Sequence, residues 1–142
     1  MKQRNKHTSL RVITVDDSKI IADRLRSILT DIKNVEVLGN AYNISAATYL
    51  IQQEKPHVVI LDINFKQASL EENGINLLSF IKQKYPEIKV IMLTNLSGLF
   101  YQNMCLSIGA DLFFDKSHDF EKISEAIISF RDKQFSANEN SI

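Results

Sequence analysis

The chain has 142 residues, of which 44% are hydrophobic and 24% are charged, and this composition is typical of one soluble domain with a sizeable core. Its 17 Lys and Arg side chains balance 17 Asp and Glu side chains, which argues against a nucleic acid, an anionic membrane or an acidic substrate as the partner. The single Cys105 cannot form an internal disulfide, and no apolar run approaches the roughly 18 residues of a membrane span. We therefore expect the chain to work in the cytoplasm, without a membrane segment.

Short apolar runs typical of strands alternate with longer segments of helical period. The patterns predict strands at residues 11–15, 35–39, 57–62, 89–94 and 111–115. They predict helices at residues 18–32, 44–54, 73–85, 99–107 and 120–130. Asp17 or Ser18 is the predicted N-cap of the first helix. The second helix starts at Asn43 or Ser45, and Asn73 or Gly74 opens the third.

The alternation of five strands with five helices predicts an α/β fold, a doubly wound parallel sheet, because parallel strands need right-handed helical crossovers. Residues 57–62 ("HVVILD") and 89–94 ("KVIMLT") are apolar without alternation, as expected for strands that helices cover on both faces. We expect one domain over residues 10–131, with a flexible arm at residues 1–9 and a flexible polar tail at residues 132–142.

Acidic and hydroxyl side chains follow the predicted strands at the edge where doubly wound sheets place their functional crevice. The pair in "VDDS" follows the first strand, and the full set is Asp16, Asp17, Asp62, Thr94 and, just past the fifth strand, Lys116. If the first strand lies beside the third, these side chains converge. Three carboxylates within a few ångströms would either protonate or recruit a cation, and Mg2+ is the hard divalent ion that prefers oxygen ligands.

This combination of residues at the strand ends resembles the receiver domain of bacterial two-component response regulators, over about residues 10–131. The resemblance implies a five-stranded, flavodoxin-like (βα)5 fold of the CheY-like family. It also implies that Asp62 is the phosphoacceptor, taking a phosphoryl group from a phosphohistidine on a sensor histidine kinase or a phosphotransfer protein. Lys116 would supply positive charge to the transferred group, and Thr94 would donate its hydroxyl to a phosphoryl oxygen.

The resemblance further implies a Mg2+ site. Asp17 and Asp62 would bind the ion directly, and Asp16 would contribute through water. The backbone carbonyl of Asn64 would complete the protein ligands.

In the family, phosphorylation is coupled to an aromatic residue three positions before the lysine, which here is Phe113. Thr94 and Phe113 are therefore the implied switch residues, although Phe113 can equally be an ordinary core side chain. Receivers commonly bind partners or a second copy through their fourth helix, fifth strand and fifth helix. We accordingly expect a downstream protein target and consider a homodimer.

Three features depart from the family pattern. Asn95, directly after Thr94, replaces a small residue, and we expect its larger side chain to slow the reaction with small phosphodonors such as acetyl phosphate. The segment at residues 62–74 is longer than the usual loop after the phosphoacceptor, although loop-closure entropy makes such extra residues thermodynamically cheap. Ser117 replaces a frequent proline after the lysine. The peptide bond before Ser117 is therefore either a strained cis bond or trans.

After Arg131 some eleven residues remain, too few for an output domain, so we expect a stand-alone receiver or a phosphorelay intermediate. Such a protein is not itself an enzyme and binds no nucleic acid directly. One alternative is the N-terminal receiver fragment of a DNA-binding transcriptional regulator. Another is a pseudo-receiver that binds partners without being phosphorylated.

Other functions known on similar sheets fit these residues less well. A hydrolase of the haloacid dehalogenase type needs a second Asp two residues after its nucleophile, where this chain has Asn64. A nucleotide-binding fold needs a glycine-rich phosphate loop, whereas the four glycines here are scattered singly. Flavin binding stays open, because a fold does not fix a function.

Overall fold

A computed structural model of the chain describes residues 9–66 and 73–140. Five strands alternate with five helices along these residues, as the sequence predicts. The elements are β1 (Leu10–Val15), α1 (Lys19–Thr30), β2 (Val35–Ala41), α2 (Ile44–Glu54), β3 (Val58–Leu61), α3 (Gly74–Lys84), β4 (Lys89–Thr94), α4 (Leu99–Ile108), β5 (Leu112–Asp115) and α5 (Lys122–Asn140).

The five strands form one parallel sheet in the order β2-β1-β3-β4-β5. This is the flavodoxin-like order of a doubly wound sheet, and it confirms the predicted fold class. The strand order reverses at β1, which has β2 on one side and β3 on the other. Because all strands run the same way, their carboxyl ends lie along one edge, and the crevice at this reversal receives the residues that follow β1 and β3.

Both faces of the sheet are buried under helices. Along β1, Val12 packs into one hydrophobic cluster, which includes side chains of α1 and α5, and Ile13 packs into a second cluster with side chains of α2, α3 and α4. The neighbouring strand β3 divides its residues in the same way, with Val58 in the first cluster and Val59 in the second. Burial on both faces explains why the sequences of the central strands are apolar without alternation.

Side-chain caps fix where the first three helices begin. The Ser18 hydroxyl accepts a hydrogen bond from the Ile21 amide (3.3 Å), and the Asn43 side chain accepts one from the Ala46 amide (2.8 Å). Asn73 caps α3 in a capping box. Of the predicted alternatives, the caps are thus Ser18, Asn43 and Asn73, and α1 starts only two residues after the acidic pair that follows β1.

The last helix is longer than the sequence predicts, because α5 extends to Asn140. The sequence predicts the end of this helix at residue 130, so that end was placed too early, and the flexibility of the tail stays a prediction. Residues 1–8 and 141–142 lie outside the described part. Two causes favour the longer helix. The stretch contains no Gly or Pro, and lengthening an existing helix avoids the cost of nucleation. Arg131 also donates a hydrogen bond to the Lys33 carbonyl (2.8 Å), which ties α5 to the α1–β2 turn.

None of the helices over residues 9–66 and 73–140 is long and apolar enough to cross a membrane.

Gly74, the first residue of α3, packs directly against the backbone that follows β3. Its amide donates a hydrogen bond to the Ile63 carbonyl (2.8 Å). A Cβ atom at this position would lie 1.9 Å from the Asp62 carbonyl oxygen and 2.7 Å from the Ile63 Cα. Only glycine therefore allows the start of α3 to pack against the backbone of Asp62, whatever the length of the loop between them.

We expect Gly74→Ala to lower the free energy of unfolding by about 1–3 kcal/mol or more, because the added methyl group overlaps backbone atoms that cannot move independently. Urea unfolding followed by circular dichroism measures the loss. Gly98→Ala is the matched control, since a Cβ there meets no heavy atom within 4 Å. Similar losses in both variants would show that the close approach at Gly74 does not limit packing.

Candidate functional site

Three carboxylates meet at the carboxyl edge of the sheet. Val15 of β1 pairs with Leu61 of β3, so the residues that follow these two strands are neighbours. One carboxylate oxygen from each of Asp16, Asp17 and Asp62 lies within 4.8 Å of the others. The structure thus brings together the three acidic residues that the sequence predicts to converge.

Backbone amides hold one oxygen of each carboxylate. Asp16 Oδ1 accepts a hydrogen bond from the Ser18 amide (2.9 Å), and Asp62 Oδ1 accepts one from the Ile63 amide (2.7 Å). Asp17 Oδ2 accepts a hydrogen bond from the Lys66 amide (2.8 Å). These bonds orient the three side chains.

The Lys116 ammonium group bridges two of the carboxylates. Its Nζ lies 2.7 Å from Asp16 Oδ2 and 2.8 Å from Asp62 Oδ2, and all three side chains are less than a tenth exposed. Burial would lower the pKa of Lys116, but the two carboxylates outweigh burial and leave this pKa above its ordinary value. Burial raises the pKa of Asp16, and the charge of Asp62 adds to the rise, although Lys116 and the Ser18 amide oppose it.

The donor set fits a hard divalent cation. Three carboxylates and one ammonium group leave two net negative charges when all are ionised. Carboxylate oxygens from two adjacent strand ends are the ligand type that Mg2+ prefers. Asp17 is only half-buried and faces the open side of the cluster. Asp16 is 3% exposed and lies deeper in the protein than Asp17.

A cavity of about 460 Å3 opens over the cluster. Asp62, Thr94 and Lys116 lie in its wall, and Asn64 lines it from the loop after β3. Asp16 is absent from the wall, which agrees with its deeper burial. An incoming group would therefore reach the wall residues Asp17, Asp62 and Lys116 before Asp16.

Thr94 ends β4 beside this cavity and is fully buried. Its hydroxyl oxygen accepts a hydrogen bond from the Leu96 amide (3.1 Å), which leaves the hydroxyl hydrogen available to a further acceptor. Its carbonyl accepts a hydrogen bond from the Lys116 amide (3.1 Å). This backbone hydrogen bond holds Thr94 and Lys116 next to each other.

Phe113 lies on β5 opposite Met92 of β4. It is half-buried and packs on the hydrophobic cluster beneath α2, α3 and α4. Its part in a switch stays a prediction.

A tight turn after β5 presents Lys116 to the cluster, and sequence analysis did not identify it. Asp115 Oδ1 accepts a hydrogen bond from the Ser117 amide (2.7 Å), and the Asp115 amide donates one to Asp119 Oδ2 (2.9 Å). The Lys116–Ser117 peptide is trans, which decides between the two geometries left open by the sequence. The four-residue spacing of two Asp residues around the lysine was the available signal, since Asp side chains often bond to nearby backbone amides.

We expect Lys116→Met to lower the free energy of unfolding by about 3–5 kcal/mol, because it leaves two buried carboxylates facing each other without a cation. Urea unfolding in the presence of EDTA measures the loss. Lys19→Met is the control, since Lys19 lies at a similar distance from Asp23 (2.9 Å) but both side chains are exposed. That variant should unfold as the wild type does. Equal behaviour of the two variants would show that burial does not determine the strength of the Lys116 bridge.

Comparison with known proteins identifies the family. A family model described as the response regulator receiver domain matches residues 12–128. The transcriptional regulatory protein DegU of Brevibacillus brevis is 24% identical over 127 residues, covering 89% of this chain and 52% of DegU. The protein-glutamate methylesterase/protein-glutamine glutaminase of Bacillus subtilis is 33% identical over 126 residues, covering 84% of this chain and 34% of that protein.

The chain thus spans about half or less of these curated relatives. Among solved structures, one chain of the CheX-CheY-BeF3-Mg2+ complex from Borrelia burgdorferi matches with a TM-score of 0.75 at 26% identity, over 84% of this chain and 87% of that chain. The resemblance inferred from the strand-end residues is confirmed by these matches. The chain belongs to the response regulator receiver domain family of two-component signalling.

Proposed function

We propose that this receiver accepts a phosphoryl group on Asp62 from a phosphohistidine of a sensor histidine kinase or a phosphotransfer protein. The observation that supports this most directly is the position of the Asp62 carboxylate. It lies in the wall of an open cavity, with one oxygen held by a backbone amide and the other 2.8 Å from the Lys116 ammonium group. The family relationship supports the same reaction.

In this reaction an Asp62 carboxylate oxygen attacks the phosphorus atom. The new O–P bond forms as the P–N bond to the donor imidazole breaks, and the electron pair stays on the imidazole nitrogen, which then takes up a proton. Lys116 stabilises the negative charge that the phosphoryl oxygens carry in the transition state. Such a transfer needs charge neutralisation and positioning, and both are available among the residues of the cavity wall.

We further propose that Asp17 and Asp62 hold Mg2+ directly, that Asp16 contributes through water, and that the Asn64 carbonyl is a further ligand. When bound, the ion neutralises charge on the carboxylate and on the phosphoryl oxygens, so that two anions can approach each other. The deep position of Asp16 favours its indirect role. The similar chain that forms a complex with BeF3 and Mg2+ supports the choice of metal.

Thr94 and Phe113 are the residues we propose to convert phosphorylation into a change of surface. The Thr94 hydroxyl would donate to a phosphoryl oxygen that is present only after transfer, and this bond would pull on the loop between β4 and α4. The first two residues of α4, Leu99 and Phe100, are 70% and 67% exposed. Apolar side chains so close to a moving loop favour a downstream protein target, met in the cytoplasm, or a second copy of the chain.

A second candidate function is the receiver portion of a DNA-binding transcriptional regulator. The match to DegU, a transcriptional regulatory protein of which the aligned part makes up 52%, favours it. The chemistry at Asp62 is the same in both candidates. They differ in what the phosphorylated surface controls.

We expect the purified chain, incubated with Mg2+ and acetyl phosphate, to gain the mass of one phosphoryl group. Asp62→Asn should abolish the gain, because the amide is a poor nucleophile, and EDTA should prevent it. Intact-protein mass spectrometry measures both effects. Asp23→Asn is the matched control and should gain the phosphoryl group as the wild type does, because Asp23 is an exposed residue of α1 that pairs with Lys19.

Phosphorylation that persists in Asp62→Asn would contradict the assignment of the phosphoacceptor. A wild-type chain that gains no phosphoryl group from this donor or from a phosphorylated kinase would favour the pseudo-receiver alternative.

A further inference from the structure

Two polar side chains, Thr14 and Asn40, link β2 to the acidic cluster from the side of β1 that faces away from β3. The Thr14 hydroxyl donates a hydrogen bond to Asn40 Oδ1 (2.7 Å). Asn40 Nδ2 in turn donates one to the Asp16 carbonyl oxygen (3.1 Å). Thr14 is 1% exposed, so its hydroxyl is a buried polar group among the apolar residues of β1.

The chemistry of the three groups fixes the direction of this chain of hydrogen bonds. A backbone carbonyl only accepts, so Asn40 must present its NH2 group to Asp16. The amide oxygen of Asn40 then faces Thr14, and the hydroxyl must be the donor. The Asp16 amide also donates to the Ala41 carbonyl (3.1 Å), so β2 holds both the N–H and the C=O of Asp16.

A β-bulge in β2 places Asn40 where it can do this. Val12 pairs with Val37, but the next residue, Ile13, pairs with Gly39, so one residue of β2 is extra. As a result Thr14 lies opposite Asn40. With a regular register the residue opposite Thr14 would be Gly39, which has no side chain. Bulges near functional sites commonly re-aim one side chain in this manner.

We propose that Asn40 is a positioning residue for the divalent-cation site, acting on Asp16 and Asp17 through the Asp16 carbonyl and itself oriented by Thr14. This inference rests on the proposed function, because it assumes that the acidic cluster binds Mg2+. Three carboxylates that repel one another tend to move apart when no cation is present. Because the Asp16 peptide is fixed, Asp16 and Asp17 stay in place, and less free energy is needed to bring the carboxylates together around Mg2+.

Four variants of the full chain separate positioning from general stability. Asn40→Leu removes the donor to Asp16, and Thr14→Val removes the orienting hydroxyl while keeping the shape of the side chain. Thr14→Ser keeps the hydroxyl and should therefore keep the wild-type affinity for Mg2+. Val37→Ala is the matched control, because Val37 also lies on β2 and packs into the core but precedes the bulge.

The measurements are the Kd for Mg2+ by isothermal titration calorimetry and the midpoint of thermal unfolding. We expect Asn40→Leu and Thr14→Val to weaken Mg2+ binding about tenfold, as is typical when a residue that orients a metal ligand is lost. Thr14→Ser and Val37→Ala should bind within about twofold of the wild type, even if Val37→Ala unfolds at a lower temperature. A merely structural role for Asn40 would lower the unfolding midpoint without this change in Kd.

Wild-type affinity in folded Asn40→Leu would overturn the inference while leaving the Mg2+ site intact. If Asn40→Leu does not fold, wild-type Mg2+ affinity in Thr14→Val would overturn the inference instead, since this variant removes only one hydroxyl. A wild-type chain that binds no Mg2+ would overturn both the proposed metal site and the positioning role.

Discussion

The bridge from Lys116 to Asp16 and Asp62 is the interaction on which the site depends. Two buried carboxylates held this close would repel each other strongly, and the ammonium group 2.7 and 2.8 Å from their oxygens offsets that repulsion. The three partners come from the ends of β1, β3 and β5, which are far apart in the sequence. The remaining negative charge, with Asp17 on the open side, is what suits the cluster to a divalent cation.

Backbone contacts keep this charged arrangement rigid. Asp16 and Asp62 receive amide hydrogen bonds from residues just after them, and Gly74 lets α3 close against the Asp62 backbone. The turn through Asp115 presents Lys116. On the far side of β1, Asn40 holds the Asp16 carbonyl. The amide hydrogen bonds orient the carboxylates themselves, whereas Gly74 and Asn40 fix the main chain that carries them.

Most of the fold could be predicted from the sequence, because the sheet is buried on both faces and its helices carry regular apolar faces. The prediction placed β4 at the residues where the structure has it and α2 likewise. It failed at the end of the last helix, because α5 continues past residue 130 through a polar stretch without Gly or Pro to Asn140. Residues 132–140 are helical partly because Arg131 contacts the α1–β2 turn, a long-range contact that a local pattern does not contain.

The sequence by itself determined which chemical groups follow the strands, and parallel strands bring such groups to one edge. Asp16, Asp17, Asp62, Thr94 and Lys116 were therefore identified before any distance was known. Only the tertiary structure decided that Asp16 lies deeper than Asp17, that Lys116 bridges two of the acids, and that a bulge turns Asn40 toward Asp16. These features depend on how strands pair and how closely remote segments of the chain approach each other. The pattern of apolar and polar residues within one segment carries no information about either.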